Sequence, residues 1–124
     1  MSTAESIMTS KKDLLSWNDQ SELSPPRKEA EKENYDLLPV IQGERVTGVL
    51  RVKAETDTPE PLTNEWLVSC DTEIPNLIEL FTTSEKPGFF VLQRQDVIGL
   101  VTPADLNKVQ AGALRNFYER QIAS

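Results

Sequence analysis

The feature that most constrains this chain is a repeat of itself. Residues 38–54 read LPVIQGERVTGVLRVKA and residues 89–105 read FFVLQRQDVIGLVTPAD, and the two align without a gap at an offset of 51. Four of these 17 pairs are identical: Val40 with Val91, Gln42 with Gln93, Val46 with Val97, and Gly48 with Gly99. Ile41/Leu92, Val49/Leu100 and Leu50/Val101 keep apolar character. Further upstream the same offset sets Ser21-Glu22-Leu23 on Thr72-Glu73-Ile74, and residues 15–17 on residues 66–68. Self-similarity at a fixed spacing marks a duplicated unit, so the 124 residues read as two halves of about fifty each. Neither half is long enough to bury a substantial core alone.

Periodicity and breakers predict strand, helix, strand, strand, helix in each half, which is an α+β chain. In the second half, residues 65–70 read as a short strand, and Asp71 or Thr72 caps a helix. Ile74, Leu77, Ile78 and Phe81 then form one apolar helical face that ends before Lys86-Pro87-Gly88. Residues 89–92 and 97–101 predict a hairpin around the polar tip 93–96. Thr102 opens a final helix with Leu106, Val109, Ala113, Phe117 and Tyr118 as its stripe, long enough through residue 122 to serve either a core or a subunit interface. The first half follows this order less well. Leu23, Pro26, Arg27 and Ala30 stand where the second half has its apolar face, which predicts a short helix over 26–34 with charged residues 27–29 and 31–33 in water. Residues 53–63 carry Thr56, Asp57, Thr58, Pro59 and Pro61 and read as an extended linker in place of a second helix. The boundary between halves falls there, giving units 1–58 and 59–124.

Composition removes most chemistries. The chain has no histidine, which excludes imidazole bases, Ser/His and Cys/His nucleophile pairs and His-ligated metals. Cys70 is the only cysteine and has no basic neighbour in sequence, so it reads as a quiet structural thiol without disulfide or zinc chemistry. No pair of carboxylates sits in an activating context, so no catalytic site and no metal site is expected. The charge, 13 − 20 = −7, argues against a nucleic-acid footprint or an anionic membrane patch. The N-terminal residues lack the apolar core of a signal peptide, and no apolar run approaches the ~18 residues of a membrane span. A soluble cytoplasmic protein is expected.

Ile7-Met8-Thr9 with Asp13-Leu14, residues 35–41 (YDLLPVI) and Val46-Thr47-Gly48-Val49-Leu50 resemble the first motif of a tandem pair of cystathionine β-synthase (CBS) domains. Phe89-Phe90-Val91-Leu92 and residues 97–106 (VIGLVTPADL) are similar to the second, so the resemblance covers almost the whole chain. It implies two β-α-β-β-α repeats packed sheet to sheet about a pseudo-twofold axis, frequent pairing into homodimers, and adenosine ligands: AMP, ADP or ATP, with S-adenosylmethionine or cyclic dinucleotides in some members.

The most specific element is Gly99-Leu100-Val101-Thr102-Pro103-Ala104-Asp105. In the family pattern the hydroxyl at the position of Thr102 touches phosphate and the carboxylate at that of Asp105 grips the ribose diol. A strand that hands over to a helix also leaves free N–H groups facing an anion, and Asp105 is an acceptor-only group suited to two hydroxyls. The same residues equally form a helix cap, with Thr102 at the N-cap, Pro103 at N1 and Asp105 at N3. At the offset of 51, Thr102 falls on Arg51 and Asp105 on Ala54, so at most one of the two pseudo-symmetric sites is complete. Arg51 and Lys53 are either phosphate contacts or solvated residues at a strand end. Phe89 and Phe90 stand near where family members hold adenine; strand alternation sends one into the core, and Phe90 is the candidate ligand contact. Two functions follow: a regulatory sensor that binds an adenosine-type nucleotide between the repeats, or a protein-interaction module whose nucleotide site has decayed.

Overall fold

A computed structural model describes residues 2–54 and 56–109. Each element of the first half recurs in the second at an offset close to 51. Strand β1 (Thr9–Ser10) answers to β5 (Glu60–Pro61), β2 (Trp17–Asn18) to β6 (Leu67–Ser69), and α2 (Ser24–Lys32) to α3 (Ile74–Thr83). Likewise β3 (Leu37–Gln42) answers to β7 (Phe89–Gln93), and β4 (Arg45–Arg51) to β8 (Asp96–Val101). A single-turn helix α1 (Ala4–Ile7) and the 3₁₀ turns Lys11–Asp13, Asn64–Trp66 and Pro103–Lys108 complete the described elements.

The strands form two four-stranded sheets in the orders β1-β8-β7-β6 and β2-β3-β4-β5. Each half contributes one short edge strand to the other half's sheet: β1 pairs antiparallel with β8, and β5 with β4. The registers correspond, with Ser10 opposite Gly99 and Pro61 opposite Gly48. This explains why the two glycines are identical in the repeat. A Cβ on Gly99 would stand 2.5 Å from the Thr9 carbonyl oxygen, and one on Gly48 would stand 2.7 Å from the Glu60 carbonyl oxygen. Thr9 and Glu60 are themselves 51 positions apart. Pro61 is tolerated because β5 lies at a sheet edge. The hairpins repeat as well, each with a register shift at an equivalent place, between Val40 and Ile41 and between Val91 and Leu92.

Burial follows the layers. Leu37, Val49, Trp66, Phe90 and Leu100 pack in one buried cluster drawn from both halves, between the sheets. On the outer face of the second-half sheet, Ala4, Ile7, Ile74 and Leu77 of α1 and α3 cover Val91 and Val101. On the other outer face Ala30 of α2 covers Leu38, Leu50 and Val52. Strand alternation divides the phenylalanines: Phe90 faces the inter-sheet core, and Phe89 faces α3, with its ring 5.0 Å from that of Phe81.

Several local expectations shift. Helix α2 begins at Ser24 and carries Pro25 and Pro26 in its first turn, where the missing N–H groups cost nothing. Arg27 is not simply wet: its Nη2 donates to the Ala54 carbonyl at 2.9 Å and its guanidinium pairs with Asp57, so it anchors the segment after β4 to the helix. That segment contains β5. The strand expected at 65–70 is shorter, since residues through Trp66 turn as 3₁₀ before β6 begins. The segment after Thr102 is a 3₁₀ turn as far as Lys108, and the expected continuation through Ala113, Phe117 and Tyr118 lies outside the described residues.

Candidate functional site

A cleft of about 410 Å³ opens where the segment leading into β3 meets the turn that follows β8. The first half lines it with Leu14, Tyr35 and Asp36 among others, and the second half with Leu100, Thr102 and Asp105. Thr102 and Asp105 are therefore brought together on one cavity wall.

Their local geometry has a plain cause. Thr102 is extended, with φ −124° and ψ 166°, and Pro103 fixes the first position of the following turn. Asp105, only 7% exposed, turns back so that Oδ2 accepts the Thr102 backbone N–H at 2.8 Å. Its Oδ1 pairs with Lys108 Nζ at 2.8 Å, and the same ammonium donates to the Ile7 carbonyl at 2.9 Å. The capping role is thus realised and coexists with a position on the cavity wall. Oδ2 also accepts the Thr102 hydroxyl at 3.4 Å, so it is Oδ1 that keeps a second lone-pair direction for a ligand hydroxyl. The Thr102 N–H, expected to face an anion, is already used.

A second hollow of about 460 Å³ is lined by Arg51, Glu65, Glu85 and Lys86, with Phe89. At the offset of 51 these four polar residues correspond to Thr102, Leu14, Asn34 and Tyr35 of the first cleft, so the two cavities are pseudo-symmetric counterparts. Their chemistry differs. The Arg51 guanidinium lies 5.0 Å and the Lys86 ammonium 4.6 Å from the centroid of the Trp66 ring. Arg51 Nε also donates to Glu60 at 2.5 Å, and Lys86 pairs with Glu65 at 3.7 Å. Cation–π contact and ion pairing hold the two cations inside the chain's own structure.

The remaining sequence candidates separate. Arg51 belongs to the second hollow, apart from Thr102 and Asp105. Lys53 is exposed and pairs with Asp36 at 3.0 Å, which places it behind a carboxylate of the first cleft. Phe90 is fully enclosed between the sheets and offers no surface to a ligand. The aromatic group that does line the cleft is Tyr35, 48% exposed and the one exposed large hydrophobic side chain among the described residues. Sequence reasoning passed over it; the signal was an aromatic residue ahead of a strand that matches polar Lys86 in the other half. Among the described residues no group of three acidic or thiol side chains is placed to hold a metal ion, and no helix is long and apolar enough to cross a membrane.

No family profile matches the sequence and no curated protein sequence matches it significantly. Solved structures do match in shape. CBSX2 in complex with AMP superposes with a TM-score of 0.72 at 16% identity, covering 93% of this chain and 98% of that one. The CBS domain of the bacterial CNNM/CorC family Mg²⁺ transporter in complex with ATP gives 0.69 at 18% identity, over 86% and 85% of the two chains. A CBS-domain pair with bound AMP from Klebsiella pneumoniae gives 0.66 at 15% identity, over 87% and 97%. The fold of this chain is theirs.

Proposed function

We propose that this chain, whose fold is that of a tandem CBS-domain pair, is a regulatory module that binds an adenosine-type nucleotide in the cleft holding Thr102 and Asp105. The observation that carries this reading is the cleft itself. At about 410 Å³ it falls within the ~300–1,000 Å³ of small-molecule sites. It gathers an aromatic face at Tyr35, a hydroxyl at Thr102 and a buried carboxylate at Asp105. The ring takes the purine by stacking, and Asp105 accepts from the ribose diol. Relatives in shape with AMP or ATP bound support the ligand class. With no histidine and one cysteine, the chain suits sensing better than catalysis.

Isothermal titration with AMP tests the reading. Saturable heat, weakened by Asp105→Ala, supports it; no heat at millimolar AMP overturns it. A second reading, a protein-interaction module with a decayed site, is favoured by the second hollow, where Arg51 and Lys86 already occupy the Trp66 face. On that reading AMP gives no heat and Asp105→Ala leaves partner binding unchanged. We also propose a cytoplasmic homodimer, which light scattering of the purified chain checks: a monomer mass removes that part.

A further inference from the structure

Within the proposed cleft, charge is distributed unevenly. Its lining includes three carboxylates, Asp13, Asp36 and Asp105, and among the described residues it includes no lysine or arginine. Three of the nearby cations are committed elsewhere. Lys108 pairs with Asp105 at 2.8 Å and Lys53 with Asp36 at 3.0 Å. Lys11, in the same turn as Asp13, donates to the Glu44 carbonyl. Asp13 itself has no ion-pair partner among the described residues. The Thr102 N–H is consumed by Asp105. The chain as a whole carries −7. The basic residues that would suit a polyphosphate, Arg51 and Lys86, lie in the other hollow.

We infer that this cleft recognises the nucleoside part of its ligand and selects against added phosphate, so that its ligands are adenosine-type molecules bearing at most one phosphate. The inference rests on the adenosine-site reading above and narrows it. Each further phosphate brings negative charge towards Asp13 and Asp36, and no lysine or arginine among the described lining residues is there to receive it. At the intermediate dielectric of an open cleft, the repulsion corresponds to roughly fivefold weaker binding per added phosphate. The effect is screened by salt because the cleft opens to solvent.

The test is titration of the full chain with adenosine, AMP, ADP and ATP, without divalent cations, at low and at high salt. Adenosine and AMP are expected to bind more tightly than ADP, and ADP more tightly than ATP, with the differences shrinking at high salt. In Asp13→Asn and Asp36→Asn the ATP deficit also shrinks, the second variant releasing Lys53 as well. ATP binding as tightly as AMP, or more tightly, overturns the selectivity and leaves the adenosine site standing. A phosphate penalty unchanged by salt and by both variants overturns its electrostatic origin. Failure of all four ligands to bind overturns the site and the selectivity together.

Discussion

Asp105 Oδ2 accepts the backbone N–H of Thr102 at 2.8 Å, so the two residues that best mark a ligand site also hold each other in place. The bond fixes the direction in which the chain leaves β8 and keeps the carboxylate at the cavity wall. Capping and ligand binding are therefore coupled through one side chain. Asp105→Ala leaves the Thr102 N–H without its acceptor and Lys108 with the Ile7 carbonyl but no carboxylate, and is expected to cost ~1–3 kcal/mol of stability. Asp105→Asn keeps an acceptor for the N–H and is expected to lose less. Denaturant unfolding of both variants measures the difference, and equal losses would show that the Thr102 bond contributes nothing.

The glycine pair carries the strand exchange. Gly48→Ala places a methyl 2.7 Å from a backbone oxygen of β5, and Gly99→Ala places one 2.5 Å from a backbone oxygen of β1. A backbone oxygen has no flexible end to swing away, so the edge strand must shift. Each variant is expected to lose ~1–3 kcal/mol, as overpacked cores do. The backbone contact is equivalent in the two, and a methyl at position 99 also meets Met8 Sδ at 2.5 Å, so Gly99→Ala should lose at least as much as Gly48→Ala. Thermal unfolding checks this, and a variant as stable as the parent would mean that its edge strand is not docked in solution.

The tips of the two hairpins differ in a way stability should report. Gly43 supplies the positive φ of the β3–β4 turn, at 62°, whereas Arg94 and Gln95 hold φ of 52° and 72° between β7 and β8. Side chains with a Cβ are disfavoured there by about 1 kcal/mol per residue. Replacing Arg94-Gln95 with Asn-Gly, the pair preferred in such two-residue turns, is expected to stabilise the chain by ~1 kcal/mol. A rise in melting temperature confirms it; a fall would show that Arg94 or Gln95 makes contacts worth more than the strain.

Tyr35 separates binding from folding. It is 48% exposed, so Tyr35→Ala removes little packing and the melting temperature should barely move. Loss of the aromatic face should nevertheless weaken AMP roughly three- to tenfold, the usual worth of an aromatic stack. Unchanged affinity would place the purine elsewhere in the cleft.

The sequence carried the repeat, the α+β class and the central hairpins because identical residues at a fixed offset and alternating apolar strands are local signals. It also pointed to Thr102 and Asp105, since a hydroxyl, a proline and an acid at cap spacing follow a strand that ends cleanly. The edge strands β1 and β5 were not legible. Two residues such as Glu60–Pro61 have no periodicity, and only the partner strand of the other half makes them a strand. Phe89 and Phe90 were hard to rank for a similar reason. Which face of a strand is buried between sheets depends on how the halves pack, and no residue spacing encodes that.

The asymmetry between the two clefts leads to a stoichiometry. In the second hollow Arg51 and Lys86 lie against the ring of Trp66, and Glu60 and Glu65 neutralise them. A nucleotide entering there would have to break these pairs and would find neither a hydroxyl nor a carboxylate at the positions of Arg51 and Ala54. One AMP per chain is therefore expected. Arg51→Thr with Ala54→Asp restores the residue types of the first cleft at the equivalent positions and clears one cation from the ring. If only side chains block the second hollow, the double variant should bind two AMP per chain, with a change in Trp66 fluorescence measured in a Trp17→Phe background. Two AMP per chain in the parent would mean that the Arg51 and Lys86 contacts yield readily to ligand.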